Sequence, residues 1–560
     1  MSVGILTQLK TAVSVVWKNT QGVKFLDTTG VDWYSSDVVR ISTEAYAGDN
    51  YWDDYIISFT PPHYSLANTW GGYCSMNFGD IELSLDLFSA LSVSGNSVWE
   101  DSDVVWADAD VSWFNDPVYG NESNLWPIPA EMAITQEFTL TNESSASILF
   151  DGTMYLQSYN RESANYDLYG TSFEQNLLNE RVDYTEETVP VYRAFGKVQH
   201  RKPLRLADVG GYPVYHNGHM GGNLAISISG TSDNGSGKVR FTTATNHGFS
   251  NGDTVTVEVT DFDSTYNTSA VIAVIDATTF DFDSIAYVDD LTGHAFKEGD
   301  WAVYDDGVPI SGNVTDNGDY TFTLSSALVN EITISGTGEY STLSEIFAWA
   351  CSAALLDKTY AYSSAIEENP SPTVKYWANS QRKLIDFLSD LSAFFNHLFY
   401  FTTNNGYLVD MTKDNGSRTL TEYDYFASPS YQYDPPVALL KSEWKMWEAV
   451  EETIGKYVKE EDYDAEVTSG YPYGTEETTI PFHTDRSEVQ SRLRAILTSR
   501  LKQRVSLKIP VSDDLPVPGE LITFTDNSFK TQLTGAIRAR RIVYDFEDDS
   551  VQIEGEGVVS

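Results

Sequence analysis

The stretch VVWADADVSWF, residues 104–114, alternates with period two. Val105, Ala107, Ala109, Val111 and Trp113 fall on one side, and Asp108, Asp110 and Ser112 on the other. An extended strand sends successive side chains to opposite faces, so this spacing suits a half-buried strand and not a helix. GDIELSLDLFSAL repeats the pattern, with Ile81, Leu83, Leu85 and Leu87 opposite Glu82, Ser84, Asp86 and Phe88. Such runs are short and end in clusters of Gly, Asn, Pro and Ser, which marks residues 1–190 as β-rich.

The same region is one-sided in charge. Residues 41–160 hold 18 Asp and Glu, no Lys or Arg, and six of the thirteen tryptophans. These acids alternate with apolar residues, so they belong to a solvated strand face and not to a disordered tail. Over the whole chain the net charge is −46. Phosphate contacts need Lys and Arg, so nucleic acid is a poor candidate for tight groove binding, and an anionic membrane surface is an equally poor partner. Strong acidity keeps a protein soluble and repels polyanions; it also suits work in high salt.

With 560 residues, 41% of them hydrophobic, the chain can build three or four domains with real cores. Cys74 and Cys351 are the only cysteines. They are too few and too far apart for a disulfide framework, which points to folding in a reducing compartment. The opening MSVGILTQLKTAVSVVWKNT lacks the basic start and unbroken apolar core of a signal peptide. No apolar run is long enough to span a membrane.

Further along, GKVRFTTATNHGFSNGDTVTVEV reads as two strands around a turn of Gly, Asn and Asp, and SAVIAVIDATTFDFDS as two more. WAVYDDGVPISG places Asp-Gly between two strand-like runs, a type I′ hairpin signal, and DNGDYTFTL follows suit. Thr342 and Glu345 have capping-box spacing ahead of Ile346, Phe347 and Ala350. Leu384, Phe387, Leu388, Leu391, Phe394, Phe395 and Leu398 predict a helix over 381–398, running into a hairpin that turns near Asn405-Gly406. Asp485 and Glu488 open a third helix over about 486–504, with Val489, Leu493, Ile496, Leu497 and Leu501 as its stripe. Two strands close the chain, the second turning near Asp548-Asp549. Residues 486–541 hold 11 of the 35 basic residues. This stretch could attract the acidic N-terminal region, although Arg492, Arg494, Arg500 and Arg504 also suit the solvated side of the helix.

Chemistry-bearing motifs are sparse. There is no phosphate-cradling glycine loop, no G-x-S-x-G elbow and no H-E-x-x-H. Cys74 has no base near it in sequence and reads as a small buried thiol. His216 and His219 in YHNGHM could be two metal ligands, but a glycine-rich turn with exposed imidazoles fits better than a zinc set. Asp101, Asp103, Asp108 and Asp110 lack the Gly and Glu of a calcium loop. Carboxylate pairs for glycoside hydrolysis meet only in the fold and are not readable here. The aromatic wealth suits either packed cores and interfaces or stacking on sugars. No catalytic residue, metal or cofactor is expected.

Three stretches together resemble the tail hub, or baseplate hub, proteins of long-tailed bacteriophages and gene-transfer particles. The first is VYRAFGKVQHRKPLRLAD with GYPVYHNG, answered after an insertion by WAVYDDGVPISG, DNGDYTFTL and EITISGTG. The second is RKLIDFLSDLSAFFNHLFYFTTNNGYLVDM. The third is VSLKIPVSDDLPVPGELITFTD with GAIRARRIVYDFEDDSVQIEGEG. They cover roughly residues 190–560. Residues 231–288 resemble a small β-domain that recurs in phage structural proteins, here as an insertion.

The expected fold is therefore mainly β with a few helices, a β-rich α+β chain. Its expected division is an acidic N-terminal domain (1–190), a β-domain (191–340) interrupted by the module at 231–288, a helix-hairpin domain (341–435), and a C-terminal helix plus barrel-like domain (436–560). The resemblance implies a non-enzymatic virion protein at the tail tip or baseplate, assembled in the host cytoplasm. It also implies a homotrimer with two barrel-like domains per subunit in a pseudo-sixfold ring, touching a distal tail protein, a tape-measure protein, and fibres or a tip. DNA would pass through without sticking, and Asp108 and Asp110 are the candidate channel lining. The alternative is an acidic, aromatic-rich adhesin that binds host surface polysaccharide.

Overall fold

In the computed structural model the described residues are 192–260, 268–325, 331–354, 361–362, 371–379, 382–401, 405–412, 417–432, 437–445, 462–468, 473–483, 485–500, 503–510, 515–527, 532–545 and 550–559, together with strand segments at 9–17, 38–42, 46–47, 51–52, 56–59, 63–68, 71–84, 132–140, 146–160 and 165–172. The chain is mainly β, arranged in several sheets with a few helices. Two N-terminal strands, β1 (His63–Asn68) and β2 (Gly71–Ser84), form an antiparallel pair; β1 takes its other partner from the C-terminal part of the chain, and β2 pairs also with Ile56–Phe59 and Asn165–Ser172.

The central body begins with β3 (Lys197–Arg201), β4 (Leu204–Val209) and β5 (Tyr212–His216). A separate sheet of seven strands, among the described residues, then intervenes. Its strands are β6 (Ile226–Asp233), β7 (Lys238–Thr243), β8 (Thr254–Val259), β9 (Thr268–Val271), β10 (Ala273–Val274), β11 (Thr279–Ala286) and β12 (Gly293–Lys297). They lie in the order β9-β8-β12-β6-β7-β11-β10. The two outermost strands, β9 and β10, are consecutive pieces of one segment joined through Ile272, so the sheet closes on itself as a small barrel.

Period-two alternation fills that barrel. Val239 and Phe241 on β7, Val255 and Val257 on β8, and Phe280 and Phe282 on β11 are all buried, each side chain contributing about 1.5–3 kcal/mol by leaving water. The sequence makes β7 and β8 hairpin neighbours; in the structure β6 and β12 lie between them. The residues joining them make their own contacts instead: Ala244 N–H donates to Ser227 O (2.9 Å) and His247 N–H to Ala277 O (2.9 Å).

After the barrel the body resumes with β13 (Ala302–Asp305), β14 (Val308–Pro309), β15 (Val314–Asp316), β16 (Thr321–Leu324) and β17 (Ile332–Thr337). Asp306 and Gly307 both have positive φ (50° and 77°), as the Asp-Gly turn between β13 and β14 demands. Strands from before and after the barrel interleave in two four-stranded sheets, β3-β17-β13-β14 and β4-β5-β16-β15. Lys197 pairs with Thr337, and Val214 with Thr323. Trp301, Val303, Phe322, Leu324 and Ile334 form the core between them.

Helix α1 (Leu343–Ala354) opens on the expected box: Glu345 N–H donates to Thr342 Oγ1 (3.3 Å), and Thr342 N–H to Glu345 Oε2 (3.0 Å). Helix α2 (Leu384–Phe394) is shorter than its apolar spacing predicts. Asn396 adopts a left-handed φ of 61°, and β18 (His397–Phe401) starts at the next residue, so Leu398 lies on a strand. That strand pairs with β19 (Asn405–Asp410) in a register that sets Phe401 opposite Gly406. Gly406 is thus a paired strand residue and not the turn. A Cβ there would sit 3.0 Å from the Phe401 ring and 3.1 Å from the Cys351 sulfur, so a larger residue fits only if these side chains give by a few tenths of an ångström.

The C-terminal part adds β20 (Ser417–Leu420), β21 (Ser430–Gln432), α3 (Arg486–Arg500), β22 (Gln503–Pro510), β23 (Leu521–Asp526), β24 (Leu533–Asp545) and β25 (Ser550–Val559). The stripe of α3 packs with α1 and α2 in one core that includes Phe347, Phe387, Leu388, Val489, Leu493 and Ile496. On its outer side Arg494 is exposed, while Arg492 is held by Glu488 (2.7 Å) and lies over the Phe395 ring. Strand β24 pairs with β25 and, on its other side, with β1, and β2 pairs in parallel with β18. Two of the three basic residues of β24 meet acidic partners next door, Arg540 with Glu556 (2.9 Å) and Arg541 with Glu554 (3.0 Å), and Arg538 donates to the Gly519 carbonyl (3.1 Å).

Candidate functional site

A polar constellation lies on the seam between the small barrel and the body. Register sets Glu258 on β8 directly opposite His294 on β12. His294 Nε2 lies 3.0 Å from Glu258 Oε2, and its Nδ1 lies 3.1 Å from the hydroxyl of Ser311, in a short 3-10 turn of the body. Tyr304 on β13 donates its hydroxyl to the same Glu258 oxygen at 2.7 Å. The His200 ring of β3 lies against Tyr304, with centroids 4.4 Å apart. The carboxylate accepts, so the network assigns the His294 proton to Nε2 and leaves Nδ1 to accept from Ser311.

Ser311, His294 and Glu258 in a row have the connectivity of an acyl-transfer relay. Three residues of the network are buried, however: His294 is 0% exposed, Ser311 8% and Tyr304 2%. The arrangement instead satisfies buried polar groups across a joint. Burial pushes the Glu258 carboxyl up, but the hydrogen bonds from His294 and Tyr304 outweigh it and hold the group below its usual range. Burial, then the Glu258 charge, raises Tyr304 well above an ordinary phenol. His200 is lowered to about 4, chiefly by burial.

A second cluster contains the histidines singled out from the sequence. His216 is buried (4% exposed) and His219 half-buried, which corrects the expectation of exposed imidazoles. The rings lie 4.8 Å apart, and Tyr320 stacks near His219 at 4.5 Å. Gly218 N–H donates to His216 Nδ1 at 3.0 Å. Only glycine fits at 218: φ is 75°, and a Cβ would lie 2.3 Å from the Trp377 ring. Burial lowers both imidazoles, to about 4 and about 3, assisted by the Arg193 charge. Among the described residues no group of three or more His, Cys, Asp and Glu converges as a metal site.

Cys74 and Cys351 are both free and buried. Burial pushes the Cys351 thiol up to about 12 and Cys74 higher still, so neither is a thiolate at neutral pH. Asp101, Asp103, Asp108 and Asp110, including the candidate channel lining, lie outside the described residues.

No family model matches the chain, and no curated protein matches it. Solved structures that the chain is similar to include a tail protein of Neisseria meningitidis MC58, at 10% identity over 66% of this chain and 97% of that one, with a TM-score of 0.28. A chain of the native gene transfer agent virion is similar at 9% identity over 68% and 87%, with a TM-score of 0.35. The 43 kDa tail protein of prophage MuSo2 from Shewanella oneidensis is similar at 10% identity over 66% and 97%, with a TM-score of 0.26.

Proposed function

We propose that this chain is a non-enzymatic structural protein of a phage-type tail, and that it forms the hub at the distal end of the tail tube. One observation carries the reading. The hub-like motif is split in sequence by the small barrel, and its halves pair strand to strand, Lys197 with Thr337 and Val214 with Thr323. Residues that resemble the family in order therefore also build one body. The role is the one that the resemblance to hub proteins implies, and charge bears on the channel alone. A trimeric ring around the tube axis would join the tube to fibres or tip proteins, with a distal tail protein above and the tape measure within. A lumen faced by carboxylates and free of Lys and Arg repels phosphate, so DNA slides through it without sticking.

The mass of the purified chain in solution, with negative-stain images of the same sample, tests the hub. A ring-shaped trimer with a central hole is expected. A chain that stays monomeric both alone and on assembled tails overturns it. For the channel, Asp108→Lys with Asp110→Lys should slow DNA ejection at low salt. Unchanged ejection removes these residues from the lining.

A further inference from the structure

The small barrel joins the body through two short crossings that run side by side. The Asp300 carboxylate accepts from the Asn223 amide (2.8 Å) and from the Lys297 amide (3.0 Å), and Leu224 and Trp301 bridge in parallel. These bonds fix where the barrel is attached. They leave it an axis to rock about, because a few residues at an element's end are enough to make a hinge. Apolar packing does little to stop that motion. Among the described residues the apolar cluster at the seam is small: Ala225, Ala302 and Tyr304, with Phe296 of β12 against them. A joint without a large apolar interface moves unless something directional holds it.

The polar network at the seam is directional, and it divides into two halves. Glu258 and His294 both belong to the barrel, where the register of β8 and β12 sets them opposite each other at 3.0 Å. Tyr304 and Ser311 belong to the body. Tyr304 is steadied there by the His200 ring, and the His200 amide donates to Ser335 Oγ at 2.8 Å. Rocking the barrel breaks the Tyr304–Glu258 and Ser311–His294 bonds together, since hydrogen bonds weaken steeply as they bend. The Glu258–His294 pair travels intact with the barrel. No buried charge is orphaned by the motion: the Glu258 side chain is 26% exposed, so water reaches it, and it keeps His294.

We propose that this seam is a reversible latch. Closed, it fixes the barrel at one angle to the body. Open, the barrel swings on its two crossings. The closed latch makes the barrel a stiff arm, so a load on the barrel is carried to the body. The proposal is independent of the hub reading, because every group in the latch lies within one chain.

The distance between two spin labels on the full chain tests it. One label is placed on the barrel at Val271→Cys and one on the body at Thr315→Cys, both exposed strand positions. Cys74 and Cys351 are buried and stay unlabelled. The labelled chain should give one narrow distance peak. Tyr304→Phe with Ser311→Ala removes both body donors but keeps the aromatic ring, and the narrow peak should be lost to a broad spread of distances. Tyr304→Phe alone keeps the Ser311 bond and should broaden the peak less. Thr342→Ala weakens a helix cap outside the seam and should leave the peak narrow. Cooperative unfolding in urea shows which variants are folded. A broad spread in the parent overturns the proposal, and so does a peak that stays narrow in the folded double variant. Equal broadening by Thr342→Ala reduces the effect to general loosening and overturns it too. If neither seam variant folds, the network is part of the fold's own core and not a latch.

Discussion

At the seam one half-buried carboxylate, Glu258, accepts from both His294 and Tyr304, so removing a donor leaves it one partner short. Tyr304→Phe should destabilise the chain by about 1–3 kcal/mol, read as a lower urea midpoint. Protonation offers a second handle. His200 and His216 titrate near 4 in the folded chain and near the usual 6.5 when unfolded. Between these values the unfolded chain binds more protons, so stability is complete above about pH 6.5 and falls steadily towards pH 4. Denaturant midpoints at several pH values should show the slope, and His216→Gln should flatten it. The seam itself was not legible in the sequence. Glu258 lies 36 residues from His294, and Ser311 lies 17 beyond it, and no local period links strands that meet only through sheet order. His216 and His219 were visible as a pair, but their burial depends on Tyr320, more than a hundred positions later.

Among the elements, those specified by neighbouring residues were readable. The Thr342–Glu345 box, the Asp306-Gly307 turn, the α2 stripe as far as Phe394 and Val489, Leu493 and Ile496 of α3 appear in the structure, whereas Leu501 lies outside the described residues and Arg504, given to the helix, lies on β22. Thr342→Ala should cost about 1 kcal/mol through the lost cap. Phe387→Ala, in the core shared by α1, α2 and α3, should cost about 3–5 kcal/mol, whereas Arg494→Ala should change stability by less than about 0.5 kcal/mol. Thermal unfolding of the three variants side by side checks the ranking, and a Phe387 variant as stable as the parent would show that the core repacks. What sequence missed were partners and ends. Spacing alone runs α2 on to Leu398, because apolar residues continue through Asn396 into a strand whose buried run reads the same way. It also makes neighbours of β7 and β8, because a turn signal says where a chain bends and not which strand it returns to.

Across the whole molecule, the small barrel leaves the body and returns to it at one place. Ala225 N–H donates to Trp301 O (2.7 Å) and Trp301 N–H to Asn223 O (3.0 Å), so the two crossing points touch. Replacing residues 226–299 by a short Gly-Ser turn should leave a cooperatively folding body with the oligomeric state of the parent, measured by light scattering and resistance to protease. A shortened chain that no longer folds would make the barrel part of the body's own core. The touching ends also bear on the order of events during synthesis. Strand β3 leaves the ribosome long before β17, its partner, exists. The barrel closes from its own residues, and once closed it holds its two ends together, so the body's distant strands are separated by a short effective loop and not by a long floppy one. A chain stalled just beyond Lys297 would carry a finished barrel, the β4–β5 hairpin without its partner β16, and β3 without β17, which makes a slow barrel the step that exposes these edges to aggregation.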